Sequence, residues 1–468
     1  MATENGKLEI NGVSVGKVKV LNKATVLPSK KLGKKETFLT TFDLPYVTFY
    51  YNQKVLLYKA KAHDFKQIVE KLKDALGVVL GEFWPLAGRL GKDEEGVLRI
   101  EFSDELVDGD GGKYGVEVVE AAAVDIELAE LAQNEASPLL QEVVHYTGVM
   151  NLEGLHRPLL AVQFTKVKDG IAIGCAFNHA VLDGNATWHF MSSWAEISRG
   201  APTISVPPFH DRAKARNTRV KLDLPESTKA HEKATESQDP SDGGEPKPAP
   251  RLREKIFPFS EKAVDRIKSQ VNGNVASNGG CKPFSTFQSL GVHLWRAISR
   301  ARNLKAEDYT VSAVFMDCRK RVDPPMPDSY CGNLIQAIFT VTVAGMLQAS
   351  GAEYGAGLLQ KVIEEHDREA IEKRSLEWEA APKLFNYKDA GINSVVIGSS
   401  PRFKIYEVDF GFGKAERVKS GSNNKFDGMI YLYQGKDEGK SIDVEVTLEA
   451  EAMENLEKDQ DFLMENIN

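Results

Sequence analysis

The amino-acid sequence predicts an α/β protein of two domains with mixed sheets, and three observations carry the prediction. The chain has 468 residues, enough for two cores of ordinary domain size. In both halves, short apolar runs of strand character interleave with longer runs of helical spacing. Between them lies Pro225–Pro250, built of Glu, Lys, Ser, Asp, Gly and Pro with almost no apolar residue. Such a stretch buries too little to offset the entropy of ordering, so it reads as a flexible crossover linker. The expected division is a domain at 1–221, the linker at 222–250 and a domain at 251–468, with a ligand site where the domains meet.

Taken in order, Thr37–Phe42 and Val55–Tyr58 read as strands, Asp64–Val79 as a helix and Val97–Phe102 as a strand. Arg157–Val167 alternates and is rich in branched apolar residues. Lys168-Asp169-Gly170 is a tight-turn signal and Ile171–Phe177 a second apolar run, so the three form a β-hairpin. Ala186–Arg199 places Trp188, Met191, Trp194, Ala195 and Ile197 at helical spacing, with Gly200 as a stop. In the second half, Ser260–Gln270, Ser285–Arg302 and Gly355–Arg374 read as helices. Val311–Met316, Leu334–Val343, Ser394–Ile397 and Ile442–Leu448 read as strands.

Hydrophobic residues at 42% and charged residues at 27% are ordinary for a folded soluble protein. A formal net charge of −8 argues against general nucleic-acid binding. Met1–Val20 has no apolar signal core, and the longest apolar run, Leu76–Ala87, is broken by Glu82 and too short to span a bilayer. The final Met464-Glu465-Asn466-Ile467-Asn468 carries no retention or lipidation signal. Cys175, Cys281, Cys318 and Cys331 show no C-x-x-C spacing and are expected to be reduced in a cytoplasmic protein. No phosphate-cradling loop or metal-ligand cluster appears, so no metal and no bound cofactor are expected.

The most informative stretch is Phe177-Asn178-His179-Ala180-Val181-Leu182-Asp183-Gly184, an H-x-x-x-D-G pattern at the end of an apolar strand. It sets His179 on a strand-to-helix turn, where a side chain reaches a cleft while its backbone is held on both sides. With an ordinary pKa of about 6.5, an imidazole is neutral near pH 7 and can take a hydroxyl proton as a bond forms. A thioester suits such attack, because a thiol of pKa about 8.5 leaves far more readily than an alkoxide. The spacing fits a buried histidine satisfied by a backbone carbonyl equally well. Asp183 has three readings: orienting His179, capping the helix that begins near Ala186, or pairing with an arginine. The last two are favoured, with Arg319 and Arg321 the candidate partners, while His189 reads as a packing residue on the helix.

A second constellation, Tyr406-Glu407-Val408-Asp409-Phe410-Gly411-Phe412-Gly413-Lys414, sets two glycines around an aromatic residue. That calls for unusual backbone angles or a close approach, and a buttressing loop is preferred to a catalytic one. A kinase reading fails, since no H-R-D segment or V-A-I-K strand precedes it. Gly12-Val13-Ser14-Val15-Gly16 matches a hydrolase nucleophile elbow, but no helix follows it.

Taken together, these motifs resemble the plant BAHD acyl-CoA-dependent acyltransferases. His179-x-x-x-Asp183-Gly184 followed far downstream by Asp409-Phe410-Gly411-Phe412-Gly413 is that family's signature pair. Pro85-Leu86-Ala87-Gly88-Arg89-Leu90, Phe287-Gln288-Ser289-Leu290 leading to Leu294-Trp295-Arg296, Asp317-Cys318-Arg319 and Tyr330-Cys331-Gly332-Asn333 agree, and the likeness runs from Pro28 to Leu456.

The resemblance implies two chloramphenicol-acetyltransferase-like domains with a solvent channel between them, entered by acyl-CoA from one face and by the acceptor from the other. It makes His179 the general base of a direct transfer, with acyl-CoA as co-substrate. Asp183 would point away and pair with Arg319, beside Gly184, and Asp409, Gly411 and Gly413 would form a structural loop. Lys282, Ser285 and Thr286 sit where family members contact CoA, and the family implies a monomer.

Three residues depart from the pattern: Phe412 and Ser400 stand for tryptophans, and Cys331 for a phenylalanine. Phe412 has no indole N–H, which leaves the oxyanion donor unassigned. Phe177–Glu196, Arg321–Phe339 and Ser399–Phe412 look like one branch, the Defective in Cuticular Ridges acyltransferases of cutin biosynthesis. That branch implies a long-chain fatty or hydroxy-fatty acyl donor and a hydroxylated lipid or acylglycerol acceptor. The competing expectations are a hydroxycinnamoyl-CoA donor with an alcohol or amine acceptor, and a non-catalytic binding protein.

Overall fold

Branched and aromatic residues at alternating positions build two six-stranded sheets and a small third one. The computed structural model describes residues 17–60, 64–105, 113–224, 251–273, 282–386, 393–436 and 439–464. In chain order the strands are β1 (Lys19–Val26), β2 (Lys35–Phe38), β3 (Asn52–Lys59), β4 (Arg89–Lys92), β5 (Leu98–Phe102), β6 (Val116–Ala123), β7 (Leu160–Val167) and β8 (Gly170–Phe177). They continue with β9 (Leu252–Phe259), β10 (Tyr309–Asp317), β11 (Ile335–Val343), β12 (Ser394–Ile397), β13 (Arg417–Ser420), β14 (Met429–Gln434) and β15 (Ile442–Glu449). The first large sheet runs β1-β6-β7-β8-β3-β13, the second β11-β10-β12-β14-β15-β9, and the small one β2-β5-β4. Parallel pairs β6–β7, β10–β12 and β12–β14 among antiparallel neighbours make both large sheets mixed.

Every residue of β8 is buried, because both faces of the first sheet are covered. On one face Leu56, Tyr58, Cys175 and Phe177 pack under the helices Phe65–Leu80 and Gly184–Ser198. Those helices are pinned to each other by Trp194, whose indole N–H donates to the Leu72 carbonyl at 3.0 Å. On the other face Val55, Leu57, Ala172 and Ala176 form a smaller core. The second sheet also works on two faces. Ile430 and Leu432 of β14 meet the helices Thr286–Ala301 and Ala352–Glu365. Met429, Tyr431 and Tyr433, on alternate positions, join the core of the first half instead. The two halves therefore share apolar surface, and β13 stitches them further by pairing with β3 from Arg417↔Leu57 to Ser420↔Lys54.

Two elements differ from the sequence reading. The strand expected at Thr37–Phe42 stops at Phe38, because the Asp43 carboxylate takes both the Thr40 N–H and the Thr40 hydroxyl at 2.9 Å and turns the chain. The helix expected at Gly355–Arg374 is two, Ala352–Glu365 and Arg368–Ala380. Asp367 breaks it by taking an extended backbone and capping the second helix through the Ala370 N–H at 3.0 Å. The Gly12–Gly16 stretch, the linker residues 225–250 and Cys281 lie outside the described residues. Cys175, Cys318 and Cys331 are buried free thiols. Among the described residues no helix is long and apolar enough to cross a membrane.

Candidate active site

The end of β8 is closed by amide side chains. Asn178 donates to the Asn151 carbonyl at 2.7 Å, and its own carbonyl oxygen accepts the Ala180 N–H at 3.1 Å. The His179 N–H donates to Asn151 Oδ1 at 2.9 Å, while Asn333 Nδ2, from the second half, donates to the His179 carbonyl at 2.8 Å. Both backbone polar groups of His179 are thus fixed by asparagines. The imidazole stacks on Tyr46 with centroids 4.7 Å apart and planes 7° from parallel. Phe49 leans on it at 6.4 Å and itself stacks on Phe385 at 4.5 Å. Nδ1 is buried without a well-aligned hydrogen bond, the ring's own backbone carbonyl giving it only weak support, and Nε2 is the ring nitrogen not enclosed in this way. Burial is the main influence on the ring and holds its pKa below the ordinary imidazole value, and the charge on Lys54 acts in the same direction. The ring's own backbone carbonyl, Asp183 and Asn333 oppose the shift only in part. The ring is neutral at pH 7.

Asp183 turns away from the ring. Its Oδ1 accepts the Ala186 N–H at 3.0 Å and Arg319 Nη2 at 3.0 Å. Its Oδ2 accepts Arg319 Nη1 at 2.8 Å and the Leu334 N–H at 3.1 Å. One carboxylate therefore caps the Gly184–Ser198 helix and neutralises an arginine, and both side chains are 0% exposed. Burial works against the charge on Arg319, but Asp183 and Asp317, the latter at 3.1 Å, together outweigh it, and the guanidinium pKa lies above its ordinary value. Arg319 also lies over the Tyr330 ring at 5.6 Å. Arg321 goes elsewhere and donates to the Ile363 carbonyl at 2.6 Å.

Sequence reasoning missed a second buried pair. Asp43 and Arg212 meet at 2.7 Å, both essentially unexposed, and Arg212 Nη2 donates to the Val181 carbonyl inside the motif turn. Asp43 Oδ1 also accepts the Asn333 backbone N–H at 3.0 Å and its Nδ2 at 3.1 Å, orienting the asparagine that holds His179. The pair joins residues far apart in the chain and matches no short motif. Neither member stood in a segment singled out from the sequence, although their contacts Val181 and Asn333 did. Tyr46, Asn151 and Phe385 likewise carried no pattern.

At Gly184 the constraint is space rather than backbone freedom, and it is set by one neighbouring ring. A Cβ built there would lie 3.0 Å from the Phe403 ring. The downstream loop is folded on itself: Asp409 Oδ1 accepts the N–H groups of Gly411 at 2.7 Å and Gly413 at 2.8 Å. Both glycines have positive φ, 103° and 86°, which only glycine adopts cheaply. Phe410 packs edge-on to Trp194 at 4.7 Å, and the Tyr58 hydroxyl donates to the Val408 carbonyl at 2.6 Å. Arg199, at the end of the motif helix, donates to the Asp409 carbonyl. Phe412 lies against Tyr58 at 5.6 Å.

The structure thus brings His179, Asp183, Gly184 and Arg319 together. It sets the Asp409 loop under the far end of the same helix. The CoA candidates lie at and just before the start of the Thr286–Ala301 helix. Lys282 is exposed and 3.5 Å from Glu364, and Ser285 caps the Thr286–Ala301 helix through a reciprocal pair with Gln288. Thr286 is the first residue of that helix.

Gly184→Ala is expected to lower stability by about 1–3 kcal/mol through overpacking, and Phe403→Leu in the same chain to restore most of it. Thermal unfolding of the single and double variants measures both. Asp409→Ala frees two N–H groups and is expected to cost about 1 kcal/mol, with Asp409→Asn costing less because an acceptor remains.

The sequence model of the transferase family matches residues 16–463. The BAHD acyltransferase DCR of Arabidopsis thaliana is 56% identical over 456 residues, covering 96% of this chain and 93% of that protein. A hydroxycinnamoyl-CoA:5-hydroxyanthranilate N-hydroxycinnamoyltransferase of Avena sativa, HHT1, is 31% identical over 408 residues, covering 83% of this chain and 86% of that one. The crystal structure of vinorine synthase superposes with a TM-score of 0.68 at 20% identity, covering 94% of this chain and 96% of that one. That of F. graminearum TRI101 with ethyl coenzyme A gives 0.71 at 17% identity, covering 92% and 98%. These two likenesses establish the two-domain fold. With the family match along nearly the whole chain, the sequence relatives decide the affiliation: the chain belongs to the BAHD acyltransferases of the transferase family, which are acyl-CoA-dependent.

Proposed function

We propose that the protein transfers a long-chain fatty or hydroxy-fatty acyl group from CoA to a hydroxyl of a lipid or acylglycerol acceptor, in cutin formation, with His179 as general base. The observation that carries the chemistry is the half-buried, neutral imidazole with Nδ1 enclosed and Nε2 left for a substrate. The acceptor hydroxyl gives its proton to Nε2 as its oxygen attacks the thioester carbon. The tetrahedral oxyanion then collapses, the C–S bond breaks, and the imidazolium returns the proton to the departing sulfur. The products are an ester and free CoA thiol, and His179 ends as it began. No acyl-enzyme is needed, and the three buried cysteines are poor nucleophiles, since burial raises each thiol pKa, to about 12 for Cys318 and Cys331.

In this reading Asp183, Arg319 and Gly184 hold the turn, and Asp409, Gly411 and Gly413 buttress the helix that follows it. Lys282, Ser285 and Thr286 are the proposed contacts to CoA, and the enzyme works as a cytoplasmic monomer with its domains at 1–221 and 251–468. The lipid substrates rest on the branch resemblance of Phe177–Glu196, Arg321–Phe339 and Ser399–Phe412, and the 56% identity to the BAHD acyltransferase DCR is in keeping with that branch. A second reading, a hydroxycinnamoyl donor, is favoured by the aromatic row of Tyr46, Phe49 and Phe385 beside the imidazole, which suits a planar group.

Thiol release by the purified wild type and His179→Ala, with palmitoyl-CoA or p-coumaroyl-CoA and a monoacylglycerol acceptor, tests the proposal. Acceptor-dependent release with palmitoyl-CoA is expected, falling at least about 10²-fold in the variant. Release with p-coumaroyl-CoA alone would select the second reading. Unchanged release by the variant would remove His179 from the reaction. Because burial makes protonation harder, kcat/KM is expected to hold as pH falls and to be half lost only below about pH 6.5, the ordinary imidazole value.

A further inference from the structure

A charge withdrawn from water must be paired or hydrogen-bonded, so buried charges reveal where compensation is missing. Several lie in the seam between the two large sheets. Glu445 is 0% exposed and is satisfied by Lys425 and by the Ser420 N–H and hydroxyl. Lys425 also meets Glu254 at 3.1 Å. Lys419 donates to the backbone carbonyls of Gln133 at 2.7 Å and Glu135 at 3.4 Å.

Lys54 is different. It is 3% exposed, yet its Nζ donates only to Asn52 Oδ1 at 3.1 Å and the Tyr433 hydroxyl at 3.0 Å, both neutral. It lies over the Tyr431 and Tyr433 rings at 5.3 and 5.6 Å. Among the described residues no carboxylate forms an ion pair with it, and an ammonium has a third N–H to place. Burial lowers its pKa to about 8, with Glu445 opposing and Lys425 adding, so the charge persists at neutral pH.

Its position relates it to the reacting centre. In the β3–β8 register Lys54 lies opposite Cys175 and Asn52 opposite Phe177, two residues before His179. Cys175 lies two residues before the end of β8, about 7 Å at roughly 3.3 Å per residue, and His179 follows in the turn just beyond Phe177. The side chain spans the seam to β14, and its charge is felt at the His179 ring.

We propose that Lys54 is a specificity residue whose free N–H hydrogen-bonds an oxygen function carried partway along the acyl group while the thioester end lies at His179. The proposal rests on the acyl-transfer reading of the site and narrows its donor class to oxygenated acyl groups. A mid-chain hydroxyl on a fatty chain and the ring hydroxyl of a hydroxycinnamoyl group share that chemistry.

Equilibrium binding to the full chain, with no acceptor present, tests it on two donor pairs. One pair is palmitoyl-CoA and its mid-chain hydroxylated analogue; the other is cinnamoyl-CoA and p-coumaroyl-CoA. The wild type is expected to bind the hydroxylated member of one pair about tenfold or more tightly, as a hydrogen bond to a charged group allows. Which pair shows the gap identifies the source of the hydroxyl. Lys54→Met is expected to close the gap and Lys54→Gln to keep part of it. Equal binding within both pairs by the wild type would overturn the proposal without any variant, as would a gap that survives Lys54→Met. Methionine matches the lysine stem and removes an unpaired buried charge, so the unfolding midpoint of Lys54→Met is expected not to fall. Failure of turnover with every donor would count against the acyl-transfer reading, while the binding ratios still decide on Lys54.

Discussion

The arrangement depends on one interaction, the fully buried pair of Asp183 and Arg319. Each belongs to a different half of the chain, and each would be prohibitive to bury alone. Once paired, all four polar contacts of the carboxylate are used: two from the guanidinium, one from the helix it caps and one from the Leu334 N–H. The turn that carries His179 is therefore fixed to the second half. The neighbouring pair of Asp43 and Arg212 repeats the device and orients Asn333, which holds the His179 carbonyl. Such pairs add little net stability compared with apolar packing. What they supply here is register between two sheets.

This separates the work of the two conspicuous motif residues. The carboxylate is spent on structure, so the imidazole is left to its own environment of Tyr46, Phe49, two asparagines and low dielectric. That environment favours the neutral ring, the form the proposed general base needs. The downstream D-F-G-F-G loop acts at one remove: its carboxylate folds the loop, Phe410 braces Trp194, and Phe403, just upstream, fills the space that Gly184 leaves. Two motifs more than two hundred residues apart in sequence thus meet on the two ends of one helix.

Much of this was legible in the sequence, for identifiable reasons. The β7–β8 hairpin and the helix after His179 were readable because strand alternation, a Lys-Asp-Gly turn and helical spacing agree over that stretch. Asp183 carried two structural readings, cap and ion pair, and its geometry satisfies both at once. What could not be read are features made by distance in the chain. β13 is four residues long and forms only because β3 offers it an edge. Edge strand β9 contains Pro258, which weakens any strand signal. β6 ends in three alanines that favour a strand only when pressed between β1 and β7. Asp43, Arg212 and Lys54 have unremarkable neighbours in sequence, and their burial is decided entirely by the meeting of the two halves.

The most direct test of this account is a double-mutant cycle between Asp183→Asn and Arg319→Met, read in unfolding free energy with kcat measured alongside. Arg319→Met leaves Asp183 buried with no cation, Asp183→Asn leaves Arg319 only the half-exposed Asp317 at 3.1 Å, and each is predicted to cost up to about 3–5 kcal/mol. The double variant should cost less than their sum by at least about 1 kcal/mol, with kcat following the fraction of correctly folded protein. Additive costs, or an Asp183→Asn enzyme of full stability that has lost turnover, would contradict it and make the carboxylate part of the chemistry.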